Sequence, residues 1–120
     1  MPRTTGPILN DGKATALIFD INNDSLTQSV IFELEVFIIT GSGIAKTPIA
    51  HELFSIPPLA NIIKTYSIAG TKAYEFQADG ISGVDFTANI FSTDASGNLI
   101  SAQRVLGSET VKITTLTPVP

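Results

Sequence analysis

The chain has no cysteine, no tryptophan, one histidine, and only 15% charged residues among its 120. Without cysteine there are no disulfides, no thiolate metal sites and no thiol nucleophile, so packing and hydrogen bonds alone must hold the fold. A single histidine, His51, excludes a metal site built from several histidines. The 11 acidic residues outnumber the 7 basic ones and leave a net charge of −4. Gripping phosphates takes a basic stripe, so no nucleic-acid partner is expected. No run approaches the roughly 18 apolar residues of a membrane helix, and no membrane insertion is expected. The opening MPRTTGPILNDG has no apolar h-region, so an ordinary secretory signal peptide is not expected. The charged share falls well below the usual quarter or so, and mean hydropathy is +0.30. That is apolar for a soluble monomer.

What is present is a dense supply of Ile, Val, Thr and Phe in short runs punctuated by Gly, Asn, Asp and Pro. Such residues suit a pleated, half-buried surface. Residues 30–40, VIFELEVFIIT, place Val30, Phe32, Leu34, Val36 and Ile38 on one face and Ile31, Glu33, Glu35, Phe37 and Ile39 on the other. Similar alternation predicts strands over 13–21, 49–56, 61–69, 73–78 and 84–91, with later strands at 99–106 and 109–116. Pro57-Pro58 takes the chain out of the sheet, and STDASGN (92–98) reads as a hairpin tip. No helix-period segment and no internal repeat is found. About eight short strands imply an all-β fold, an antiparallel two-sheet β-sandwich that is jelly-roll-like. The length fits one domain, 13–120, preceded by an arm or connector, 1–12.

Chemistry is sparse. His51 stands beside Glu52, but strand neighbours point to opposite faces, and no GxSxG elbow is present. No catalytic residue, cofactor or metal site is expected. Asp20, Asn22 and Asp24 have the spacing of a calcium loop, yet Ser25 and Ile31 stand where its glycine and final acid belong. The bland reading is an Asx-rich turn. Asp94, Ser96 and Asn98 fail in the same way, and Gly41 with Gly43 is too little for a phosphate cradle. Asn23 begins an NDS glycosylation pattern that arises readily by chance. Tyr66 and Tyr74 are the tyrosines that a carbohydrate- or ligand-binding face would use.

The row Ile31, Phe37 and Ile39, together with Phe91 and Ile18, lies opposite its strands' best core faces, and a large apolar patch on so poorly charged a chain marks an interface. The blander alternative is cover from loops or from the rest of the fold. Ile8 and Leu9 give the arm something to bury, against a neighbour or an open sheet edge; a frayed terminus is the competing reading.

The segments FSIPPLANIIKTYSI and DASGNLISAQRVLGSE resemble small all-β spore-surface proteins of bacilli, among them the subunits of endospore appendages. That resemblance covers about two thirds of the chain. It implies a jelly roll with an N-terminal connector, neighbours sharing a sheet edge to edge, and a place at the spore or cell surface. Cysteine staples found in some of those subunits have no counterpart here. The expected function is a non-enzymatic structural subunit that assembles with itself, and with other surface proteins, into a fibre or layer. Ile8, Leu9, Ile31, Phe37, Ile39 and Phe91 are its expected contacts.

Overall fold

The computed structural model describes residues 2–41, 45–80 and 86–119. Ten strands follow in chain order: β1 Pro2–Thr4, β2 Ile8–Leu9, β3 Ala16–Asn23, β4 Val30–Ile39, β5 Lys46–Ile56, β6 Asn61–Ser67, β7 Ala73–Gly80, β8 Phe86–Thr93, β9 Val105–Leu106 and β10 Val111–Lys112. The larger sheet has the order β10-β1-β7-β4-β5, with β2 also on β7; the smaller has the order β6-β3-β8-β9. Every pairing is antiparallel. The chain is thus all-β, two antiparallel sheets over a shared apolar core.

Alternation builds that core. Leu17, Phe19 and Ile21 from β3 meet Val30, Phe32, Leu34 and Val36 from β4, and Tyr74 and Phe76 from β7 complete the layer. Phe19 sits 4.1 Å from Phe76 and 5.5 Å from Phe32 between ring centroids, and Phe86 meets Phe32 edge-on at 5.1 Å. Such pairs contribute about 0.5–1.5 kcal/mol each beyond the area they bury.

Between the sheets, polar side chains close the fold where strands stop. Gln103 is buried, and its Oε1 accepts from Tyr74 Oη at 2.7 Å and Ser92 Oγ at 2.9 Å, while Nε2 donates to Asn10 Oδ1 at 3.1 Å. Asn10 also donates to Ala14 O and to Thr71 Oγ1. This network explains one departure from expectation. The expected strand over 99–106 is a bridge at Leu99, a 3-10 turn over Ser101–Gln103 and the two residues of β9. Turning the chain there carries Gln103 inward to partners that would otherwise be buried without a hydrogen bond.

The last expected strand, 109–116, shortens to β10, and residues beyond it run over the larger sheet's outer face. There Thr117 N donates to Gln77 Oε1 at 2.8 Å, and Gln77 Nε2 returns a bond to Thr117 Oγ1. Asp20 and Asn22 prove to lie on β3 itself, so the loop geometry of a calcium site is missing. Asn23 is fully buried, its amide donating to the carbonyls of Gln28, Ile56 and Pro57. That engagement removes it as a glycan acceptor. The hairpin tip holds: Asp94 Oδ1 accepts from the backbone of Ser96 and Asn98, and Gly97 takes φ +84°. Val84, Asp85 and Gly43 lie outside the described residues.

Candidate functional site

The outer face of β4 is divided along its length. Ile31 is 42% exposed, whereas Phe37 is 2% exposed and Ile39 half-buried. Phe37, expected on an uncovered face, is therefore covered within its own chain. Lys46 Nζ stands 4.8 Å from its ring centroid and reaches toward Thr117 of the C-terminal segment. Beside it, Glu75 accepts from Lys46 at 2.7 Å, from Gln77 at 2.9 Å and from Thr4. Burial alone would raise the Glu75 carboxyl, but those hydrogen bonds outweigh it and hold the group below its ordinary value of 4.5.

The other expected contacts do not form one patch. Ile8 lies opposite Tyr74 and packs on the core, so it belongs to the interior of its own sheet. Leu9, 64% exposed, shares a row with Ala73 and Ile39 at one end of the larger sheet. Ile31 lies at the far end of β4, and Phe91 pairs with Ile18 on the smaller sheet. Within residues 1–12, expected as an arm, Pro2–Thr4 and Ile8–Leu9 pair with β7, and Arg3 and Thr4 also pair with β10, all in their own chain.

The sheet edges are more distinctive. β5 and β6 each end a sheet, and only residues 57–60 join them, so both run along one flank. Glu52 closes the gap between them, accepting from Lys64 at 3.1 Å and from the Tyr66 hydroxyl. That Tyr66 bond, with help from Lys64 and against burial, lowers the Glu52 carboxyl; burial and the same bond push the Tyr66 phenol well up. Near its start β5 carries Lys46, Pro48 and a bulge that leaves Ile49 between the partners of Val36 and Phe37. Lysine, proline and bulges are devices that discourage edge pairing. From Ala50 to Ile56 none of them recurs, and Leu53 is 66% exposed; β6 carries one lysine, Lys64, drawn to Glu52, and its Ile63 is 61% exposed.

Across β4 and β5, pairing brings together residues the linear sequence keeps apart. His51 stands opposite Glu35, and Leu53 opposite Glu33. His51 Nε2 is 2.7 Å from Glu33 Oε2 and 3.8 Å from Glu35 Oε2. The Glu33 hydrogen bond raises the histidine above its ordinary value, with Glu35 adding to it and burial opposing. Burial raises the Glu35 carboxyl, which the His51 charge partly offsets. Glu52 points away from His51, to Lys64 and Tyr66, and the acids beside the histidine come from the neighbouring strand, at Glu33 and Glu35. Two acids at i and i+2 on one strand face were the available signal.

A cleft of about 580 Å³ opens between the sheets, with Phe19, Phe32, Phe76 and Phe86 on its walls and Arg3 and Asn89 at its polar margin. Neither tyrosine joins it. Tyr74 is fully buried and bonded to Gln103, which removes it as an exposed stacking platform, and Tyr66 is half-buried against Glu52. Comparison with protein-family models, curated proteins and solved structures finds no match for the chain.

Proposed function

We propose that the chain is a non-enzymatic structural subunit, a jelly-roll-like sandwich that assembles with copies of itself into a fibre or surface layer of the spore-appendage kind. The observation that carries this reading is the open flank, where 11 residues of β5 and 7 of β6 end their sheets side by side. An unpaired edge offers alternating N–H and C=O groups to another strand, and each hydrogen bond so formed is worth about 0.5–1.5 kcal/mol net. Leu53, Ile63 and Ile31 add apolar surface at about 25 cal/mol per Å² buried. Glu52 does not bar a neighbour, since Lys64 and Tyr66 already satisfy it. Negative-stain electron microscopy of the purified chain tests the reading: fibres or sheets are expected, and a field of isolated small particles would refute it.

The apolar cleft favours a second reading, a ligand-binding module. Its phenylalanine lining suits a hydrocarbon-like ligand better than a sugar. Saturable binding of an apolar fluorescent probe by a strictly monomeric chain would support it over assembly.

A further inference from the structure

We propose that Glu33, Glu35 and His51 form a binding site for one divalent transition-metal ion of the zinc type. One ligand atom from each residue lies within 4.8 Å of the other two. Acidic clusters are common without an ion, but this one contains an independent anomaly. The Glu35 side chain is 3% exposed, and its Oε1 is buried without any hydrogen-bond partner. Leaving a buried charged acceptor unsatisfied costs more than the roughly 1–3 kcal/mol of a neutral group, so such an atom calls for an explanation. The other oxygen of the same carboxylate, Oε2, faces His51 Nε2 at 3.8 Å, so a cation held by both Glu35 oxygens supplies that missing partner.

Geometry and charge agree with that assignment. Zinc takes imidazole nitrogen and carboxylate oxygen at about 2.0–2.2 Å, which at tetrahedral angles puts ligand atoms about 3.4 Å apart. The separations are 2.7 and 3.8 Å from His51 Nε2 and no more than 4.8 Å within the set, so the carboxylates must rotate inward to close on an ion. Two carboxylates and a neutral imidazole balance a double positive charge. Lys46, whose charge reaches Glu35, is itself held by Glu75 at 2.7 Å. His51 and Glu33 are 43% and 31% exposed, so the remaining coordination positions face solvent. One nitrogen and few oxygens suit zinc or its transition-metal neighbours better than calcium, which takes six to eight oxygens.

Because His51 is the only histidine, an untagged chain gives an unambiguous readout. After chelator treatment, zinc chloride is titrated by calorimetry against a background of magnesium, with the imidazole resonance followed by NMR. Saturation at one ion per chain and a shift of the His51 ring signals are expected. Glu35→Gln and His51→Gln should each weaken binding by about tenfold or more, while Glu109→Gln, at a distant 3-10 turn, should leave it unchanged. Circular dichroism checks each fold, and exposed His51→Gln reads the site alone if Glu35→Gln fails to fold. No saturable binding, binding that leaves the His51 signals unmoved, or binding that survives His51→Gln overturns the proposal.

Discussion

The two flanks of this sandwich end in opposite ways. On one, β9 and β10 contribute two residues each, and polar side chains finish what strands do not. Arg3 donates to Thr110 Oγ1 at 2.6 Å and to Thr110 O, Gly107 N bonds Asn89, and Glu109 accepts from Leu106 N at 2.7 Å. The buried network of Asn10, Gln103, Tyr74 and Ser92 lies on the same side. On the other flank β5 and β6 run long and stop with their outer edges unpaired by any described strand. A chain with so few charged residues uses many of its polar groups to tie this side together, around the cleft that Arg3, Asn89, Gly107 and Thr110 border. The contrast teaches that the open side is a property of the whole arrangement, since the same sequence closes an edge where it has the side chains to do so.

The largest effect should come from breaking the closed flank. Gln103→Ala strands the Tyr74 and Ser92 hydroxyls in the interior, at about 1–3 kcal/mol each, so unfolding should be easier by about 2–6 kcal/mol. Urea denaturation checks this, with a lower midpoint and an unchanged slope expected.

On the open flank the pattern should invert. Leu53→Lys together with Ile63→Lys replaces exposed side chains, so stability should change by about 0.5 kcal/mol or less per site. Assembly, read by light scattering, should nevertheless be lost, because lysines along an edge oppose strand addition.

A third test separates the covered part of the larger sheet's outer face from the rest. The Glu75 carboxyl is held below its unfolded-state value, so its contribution is fully present above about pH 4.5 and is lost as pH falls through the folded value. In thermal melts across acid pH, the wild type should lose stability more steeply below pH 4.5 than Glu75→Gln does. The smallest effect belongs to Leu9→Ala. Its side chain is 64% exposed, and a change of about 0.5 kcal/mol or less is expected by the same denaturation.

Much of this contrast could be read from the linear sequence, and the unread part has a common cause. Alternation located β3 through β8, and it placed Leu17, Phe32, Leu34 and Ile90 in the core. It correctly raised the question of the second face of β4, because periodicity reports which residues are apolar on a face. What covers a face depends on contacts far apart in the chain. Phe37 lies under Lys46, which also reaches toward Thr117, an arrangement that no local pattern encodes. His51 meets Glu33 and Glu35 through a register that a bulge at Val36/Phe37 helps to set. Periodicity overextends the two-residue strands β9 and β10 because apolar content continues where polar side chains take over the backbone's direction. Tyr74 looked available for the same reason that it is buried: it sits on a well-alternating strand, β7, whose inner row is core.

Amide hydrogen exchange tests the open flank most directly, by comparing a concentrated sample, in which the proposal expects assembly, with a dilute one residue by residue. Strand addition at β5 and β6 should slow exchange of the amides over residues 50–56 and 61–67 on assembly, while those of β9 and β10 stay as they were. Protection that appears at β9 and β10 instead, or no change along β5 and β6 in a protein that has assembled, would contradict the account.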